Sequence, residues 1–249
     1  MRLVAVPAAV LLVLLAACRG DARSDRAAAD QTFPRADRPV ATVVSTQWST
    51  EELRERQGEA QSVMDEAKVA PGMSVADIGA GEGYYTVRLA ARVGDKGRVL
   101  AQDIDRGALA RLGVRVEREK LRNVSIQPGA PDDPRLPAGS FDRVFMIHMY
   151  HEIGEPYALL WRLWPALKPG GSVVVVDADR PTGQHGTPTA LLLCEFETAG
   201  FRLVAFRRKP NLSGYYAEFA AAETGRPEPG TMRSCPATAR AQTGRTEGR

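Results

Sequence analysis

The chain has 249 residues, 44% hydrophobic, 25% charged and 6% aromatic, which is enough apolar material for one sizeable core and excludes wholesale disorder. Its 33 Lys and Arg nearly cancel 30 Asp and Glu, and a net charge of +3 dispersed along the chain excludes the concentrated basic face of a nucleic-acid-binding protein. Only five of the basic residues are lysines (Lys68, Lys96, Lys120, Lys168 and Lys209), a compositional bias with no face singled out for bidentate recognition.

Arg2 is followed by an uninterrupted apolar run from Leu3 to Ala17 that ends at Cys18. The run is shorter than the about 20 residues a membrane span needs. A basic start, an apolar middle and small residues at the end describe a secretory signal peptide over residues 1–17. Leu15-Ala16-Ala17-Cys18 also resembles the lipobox of bacterial lipoproteins, in which the cysteine becomes the lipidated first residue. The alternative is an ordinary signal peptide with an incidental cysteine. The sequence therefore predicts export, and with lipidation at Cys18 a membrane-anchored lipoprotein facing the periplasm or cell exterior. Residues 18–46, polar and without a sustained apolar period, predict a flexible tether, 47–220 one domain, and 221–249 a disordered tail. Cys194 lies in an apolar run and Cys235 in that tail, so the two are expected to stay unpaired.

Within the domain, Thr50-Glu51-Glu52 caps a helix running to about Val69, which stops before Pro71-Gly72. Met73–Ile78 reads as a strand, followed by a glycine loop and a helix over Tyr84–Arg92. Arg98–Asp103 is a second strand, and Leu109, Leu112 and Val116 then recur at helical spacing. Val124–Ile126 and Phe141–Ile147 are two more strands. A helix from Pro156 to Leu167 ends at Lys168-Pro-Gly-Gly171 and leads into Ser172–Asp177, whose four consecutive valines predict burial on both faces. A helix near Thr187–Ala199 and strands at Phe201–Arg207 and Tyr215–Phe219 close the domain. Strands alternating with helices of this length predict a doubly wound, mostly parallel seven-stranded α/β sheet with helices on both faces.

The glycine loop Asp77-Ile-Gly-Ala-Gly-Glu-Gly83 ends the first strand and opens a helix, where such a sheet binds its ligand. A dinucleotide fingerprint needs glycine at the sixth position, which here is Tyr84, so the loop suits a nucleoside cofactor without pyrophosphate. Asp103 ends the second strand, twenty residues past Gly83, where carboxylates accept hydrogen bonds from ribose hydroxyls; a helix cap is its bland alternative. With Pro71-Gly72, Ser140-Phe-Asp-Arg-Val144 and Leu167–Asp177 in order as well, the stretch from about Val63 to Phe219 resembles the class I S-adenosylmethionine-dependent methyltransferases, which have a Rossmann-like fold.

That resemblance implies S-adenosylmethionine as cofactor, with Asp77, Gly79, Gly81 and Gly83 at its methionine part, Asp103 on the ribose and Ile104 on the adenine. Many members carry a Gly-Asp pair after the third strand for the adenine amino group; here Gly129-Ala130 stands there, leaving Asp132 or Asp133 as substitutes. Ile147-His-Met-Tyr-His-Glu152 ends the fourth strand, where the family's substrate-facing residues lie. His151 or Glu152 is the candidate base for methyl transfer; alternatively His148 lines the cofactor pocket while His151 and Glu152 orient the loop. His-x-x-His-Glu is not the helical His-Glu-x-x-His pattern, and no metal is expected. Tyr84 and Tyr85 either cover the cofactor or pack the helix, and Trp161 and Trp164 are expected in the core. The sequence thus predicts a monomeric methyltransferase acting on a small-molecule acceptor, with no nucleic-acid partner and a membrane contact only through the lipid anchor. Its rival is a non-catalytic exported binding protein that keeps the fold.

Overall fold

The computed structural model describes residues 32–42, 50–210 and 214–237; the apolar run, Cys18, residues 18–31 and 43–46 of the expected tether, and residues 238–249 lie outside them. Among the described residues no helix is long and apolar enough to cross a membrane.

Thr50 accepts the Leu53 amide at 3.3 Å and opens α1 (Glu51–Arg56). Gly58, at φ 62°, then breaks what reads in sequence as one helix, and α2 (Glu59–Glu66) follows. The remaining elements are β1 (Ser74–Ile78), α3 (Tyr84–Val93), β2 (Arg98–Asp103), α4 (Arg106–Arg118), β3 (Val124–Pro128), β4 (Phe141–Ile147), α5 (Pro156–Leu163), β5 (Leu167–Ala178), α6 (Thr189–Thr198), β6 (Phe201–Lys209) and β7 (Gly214–Ala221). α5 is shorter than expected: Pro165 lies in a tight 3-10 turn, Trp164–Ala166, and Lys168-Pro-Gly-Gly171 belongs to the irregular start of β5.

The seven strands lie in the order β3-β2-β1-β4-β5-β7-β6. β1 to β5 pair in parallel, and β7 runs antiparallel to both β5 and β6. The order reverses between β1 and β4, so their carboxyl ends open the crevice in which doubly wound sheets hold ligands. Burial on both faces follows from alternation along the central strands. Val173 and Val175 of β5 join Val144 and Met146 of β4 in one apolar layer with α5 and α6. Val174 and Val176 join Phe145 and Ile147 in the opposite layer with α2 and α3. All four valines are fully buried, as their run predicts.

Two segments depart from expectation. Residues 33–42, placed by composition in a solvated tether, are packed on the domain. The Arg38 side chain is fully buried against Glu195 of α6, with Nε donating to Oε1 at 2.8 Å and Nη2 to Oε2 at 3.4 Å. Tyr150 donates its hydroxyl to the same carboxylate at 2.8 Å. Thr182 Oγ1 donates to the Pro39 carbonyl at 2.6 Å, and the Ala41 amide to the His151 carbonyl at 3.1 Å. The strap is held by one charge, by backbone groups and by the Phe33 ring, which meets Trp161 edge-on at 5.6 Å, too few apolar positions to make a period that sequence reading would find.

Residues 222–237 of the expected tail are likewise packed on the domain. Trp161 Nε1 donates to the Pro227 carbonyl at 2.8 Å while the Arg226 guanidinium lies 3.3 Å from the indole centroid. Met232 and Cys235 are buried. Cys194 and Cys235 form a disulfide with Cα atoms 6.0 Å apart, correcting the expectation of two free thiols. The returning chain supplies a cover for the outer sides of α5 and α6 that the Trp161 ring and the apolar run around Cys194 both need. Trp161 is buried there, and Trp164 Nε1 donates to the Gly200 carbonyl at 3.1 Å.

Candidate active site

The loop leaving β1 turns back on itself through positive φ at Gly79 (69°), Gly81 (54°) and Gly83 (90°). A side chain at Gly79 would strike Met149, within 2.9 Å of its Cγ, so the loop lies against the end of β4. Gly81 is different, since the space a side chain would take there is open. Its amide donates to Asp103 Oδ2 at 2.8 Å, and Asp103 Oδ1 accepts the Asp105 amide at 2.9 Å. Asp105 caps α4, accepting the Gly107 amide at 2.7 Å, so the capping role weighed for Asp103 falls to its neighbour. Asp103 instead clasps the glycine loop to the end of β2. Ile104, beside it, is 46% exposed and offers an apolar face.

Asp77 does not face the open loop. It is buried, and its Oδ2 accepts the Thr86 hydroxyl at 2.7 Å, tying β1 to the first turn of α3. Burial pushes its carboxyl up to about 6, with Thr86 opposing. The folded chain thus favours the protonated form, and the stability gained from it is lost as pH rises from 3.8 through about 6. Asp77→Asn is therefore expected to raise the unfolding free energy of the ligand-free chain at about pH 8 by about 1–2 kcal/mol, and to narrow its gap from wild type as pH falls to about 5. Thermal unfolding across that range checks this; parallel curves for the two proteins would contradict it. Glu59 acts outside the window, because its carboxyl is pushed up by burial but held at about 2 by His148 and Arg54, so its contribution is lost only as pH falls below 4.5.

Gly129 follows β3 and donates its amide to the Asp103 carbonyl at 3.0 Å, with no carboxylate beside it. Asp132, expected as the substitute at the adenine, is turned elsewhere: its carboxylate and its carbonyl both accept Arg162 Nη1 of α5. Asp133 accepts the Arg135 amide at 2.7 Å in its own turn. The loop from 130 to 137 packs on α5 through these groups, and the acidic residues go with it.

α1 and α2 lie over α3 through residues that sequence reading passed over. The Arg54 guanidinium stands 3.9 Å from the Tyr84 ring centroid and 5.2 Å from that of Tyr85. Tyr84 donates to Glu55 at 2.9 Å and Tyr85 to Glu59 at 3.1 Å, so both rings pack α3 against α1 and α2. Glu59 also lies 3.4 Å from His148 Nε2, joining α2 to the end of β4 across the crevice. His148 sits at φ 55° and is about one-third exposed, at the switch point where the cofactor pocket was expected.

Beyond His148 the chain makes a short turn, Tyr150–Glu152. His151 is buried, with Nδ1 3.0 Å from Asp177 Oδ1. Asp177 ends β5 and is held in turn by the Ala178 amide at 2.8 Å and the Thr187 hydroxyl at 2.7 Å. Glu152 is half-buried beside it, and His185, from the loop after β5, completes a group of three donor side chains. Sequence reading named His151 and Glu152 and missed both Asp177 and His185. Asp177 stood in a recognised motif as the residue ending a valine run, a signal that it faces the ligand edge of the sheet. Nothing local marks His185.

Residues 75–171 match the family described as a methyltransferase domain. The ubiquinone/menaquinone biosynthesis C-methyltransferase UbiE of Shewanella woodyi is 30% identical over 124 residues, 47% of this chain and 47% of that protein. The demethylmenaquinone methyltransferase of Lactococcus lactis is 28% identical over 111 residues, 45% of this chain and 44% of that protein. The chain thus spans about half the length of the curated relatives it matches. A SAM dependent methyltransferase from Aquifex aeolicus, 22% identical, superposes with a TM-score of 0.60 over 70% of this chain and 98% of its own, which shows the shared fold. The glycine loop and the Asp103 clasp thus lie inside the stretch that matches a methyltransferase domain, on a seven-stranded Rossmann-like sheet shared with that solved neighbour.

Proposed function

We propose that the protein transfers the methyl group of S-adenosylmethionine to a small-molecule acceptor placed over the carboxyl ends of β4 and β5. The observation that carries this reading is the Gly81–Asp103 clasp beside open space. A carboxylate has about four lone-pair sites. The Gly81 and Asp105 amides occupy two, which leaves capacity for the two ribose hydroxyls, while the exposed Ile104 offers a surface for the adenine. Asp77 acts one layer below, fixing the loop through Thr86. The loop and the Tyr150–Glu152 turn touch through Gly79 and Met149, so a methyl donor in the loop and an acceptor at the turn are neighbours.

Methyl transfer needs positioning more than a covalent partner. The methyl carbon leaves sulfur, the bonding pair stays on sulfur to give a neutral thioether, and an electron pair of the acceptor forms the new bond. The acceptor's proton is lost at the His151–Glu152 corner, where Asp177 fixes the imidazole. The names of the curated relatives make a carbon acceptor of quinone type the first class to try.

Calorimetric titration of the full chain with S-adenosylmethionine and S-adenosylhomocysteine tests the reading. Asp103→Ala is expected to weaken binding by about 1.5–3 kcal/mol through loss of charge-assisted hydrogen bonds. An unchanged affinity would place the ribose elsewhere.

We also infer that the protein works outside the cytoplasm, anchored through Cys18. The Cys194–Cys235 bridge supports this, since disulfides persist in oxidising compartments, as does the apolar run before Cys18. Cys18→Ser is expected to move the protein from the membrane to the soluble fraction; a variant still sedimenting with membranes would contradict the anchor.

A further inference from the structure

Three side chains from two separate loops converge beside the strap. His151 and Glu152 come from the turn after β4 and His185 from the loop between β5 and α6, and one donor atom of each lies within 4.8 Å of the others. We propose that this cluster binds a divalent transition-metal ion, Zn2+ in the first instance, through His151, Glu152 and His185.

Two imidazoles and one carboxylate are a donor set suited to zinc and its neighbours, and unlike the all-oxygen sets that hold calcium or magnesium. Three protein ligands leave a coordination position open for another molecule. Ligand atoms held about 2.0–2.2 Å from a metal stand about 3–3.5 Å from one another, so the present spacing closes by small side-chain rotations.

Support around the cluster matches what a metal site requires. His151 Nδ1 faces both oxygens of Asp177, at 3.0 and 3.1 Å. An ionised carboxylate only accepts, so the neutral imidazole carries its proton on Nδ1 and leaves the Nε2 lone pair for a cation. Carboxylate-oriented histidines of this kind are the usual outer support of zinc ligands. Asp177 cannot swing away, being fastened by the Ala178 amide and Thr187. His185 is placed by its backbone, at φ 57°, with its amide donating to the Thr182 carbonyl at 3.1 Å. Arg180 donates to the His185 carbonyl through Nε at 3.1 Å and Nη2 at 3.0 Å, steadying the loop. The nearby Arg38 is already neutralised by Glu195. Glu152 and Asp177 together carry two negative charges against a divalent ion. The expectation of no metal rests on the run His148–Glu152 alone, in which the first histidine faces Glu59; the third donor, His185, comes from another loop.

This inference rests on the proposed function for its purpose. The open position lies at the acceptor corner, where a cation would hold an acceptor hydroxyl as its anion, its proton passing to solvent, and so raise the nucleophilicity of the oxygen or of a ring carbon beside it. His151 then serves as a ligand and not as the proton acceptor.

The test uses the full chain, free of any polyhistidine tag and stripped with a chelator, titrated with Zn2+ by calorimetry and with Co2+ by visible absorption. One equivalent is expected to bind, with the d–d bands of a nitrogen- and oxygen-ligated Co2+. His185→Ala and Glu152→Gln are each expected to weaken binding by about a hundredfold or more, while S-adenosylhomocysteine affinity, set at the glycine loop and Asp103, stays as in wild type and reports that the variants are folded. A wild-type chain that takes up no stoichiometric metal, or variants that bind it as tightly as wild type, would overturn the proposal. Metal binding with these properties in a chain that fails to bind S-adenosylmethionine would instead sink the methyl-transfer reading and leave the cation site standing.

Discussion

Arg38→Ala is expected to destabilise the protein by about 3–5 kcal/mol, the cost of stranding a buried carboxylate without its counter-charge. Glu195 sits on α6 with no solvent exposure, inside a layer that includes Leu192 and Phe196. Its carboxylate is met by Arg38 from the strap and by the Tyr150 hydroxyl from the turn that also carries His151 and Glu152. Losing Arg38 therefore loosens three segments at once, and the turn that carries His151 and Glu152 should suffer along with the fold. Replacing both partners, Arg38→Met with Glu195→Leu, should recover part of the loss but not all, because Tyr150 then lacks its acceptor. Urea unfolding of the three proteins measures these differences. A cost below about 1 kcal/mol for Arg38→Ala would mean that Glu195 reaches water or takes up a proton, and that the strap is not an integral part of the domain.

The second large effect belongs to the disulfide. Cys194 and Cys235 are 41 residues apart in sequence, and opening a loop of that length is expected to cost about 2–4 kcal/mol. The same bridge pins the segment after β7 to α6, beside α5, where the Tyr157 hydroxyl accepts the Cys235 amide at 2.6 Å and Trp161 reaches Pro227. Exchanging both cysteines for serine should lower the unfolding midpoint and expose the chain between Ala222 and Cys235 to protease before the rest of the domain. A midpoint and cleavage pattern identical to wild type would show that the tail is held by its other contacts alone.

Most of the sheet was legible because its central strands β4 and β5 are apolar on both faces and its helices carry their own stops. β4 matches the predicted Phe141–Ile147 at both ends, and β1 and β2 differ by at most one residue. The turn of the glycine loop was legible for a related reason, since backbone that needs positive φ at Gly79, Gly81 and Gly83 leaves a spacing signature. The strap and the tail were not. Each is held by a few groups whose partners lie far along the chain, Arg38 to Glu195 across 157 residues and Trp161 to Pro227 across 66, and polar composition there looked like solvation. Asp132 failed for the opposite reason. Its place after β3 matches the expectation, but Arg162 on α5 offers the carboxylate a charged partner that the sequence does not show. The histidine run was half legible, since position on β4 located the corner while the assignment of Nδ1 to Asp177 and the arrival of His185 depend on how β5 and its loop come alongside.

Transfer of the methyl group itself is the most direct test of the central claim. The full chain would be incubated with S-adenosylmethionine labelled in its methyl carbon and with a small-molecule extract of the producing cells, and both label and S-adenosylhomocysteine followed with time. S-adenosylhomocysteine is expected to form only when extract is present and the label to appear in one small molecule, with the rate falling in Asp103→Ala in step with its affinity. Label that stays wholly on S-adenosylmethionine in a chain shown to bind it, or that moves onto nucleic acid, would contradict the account.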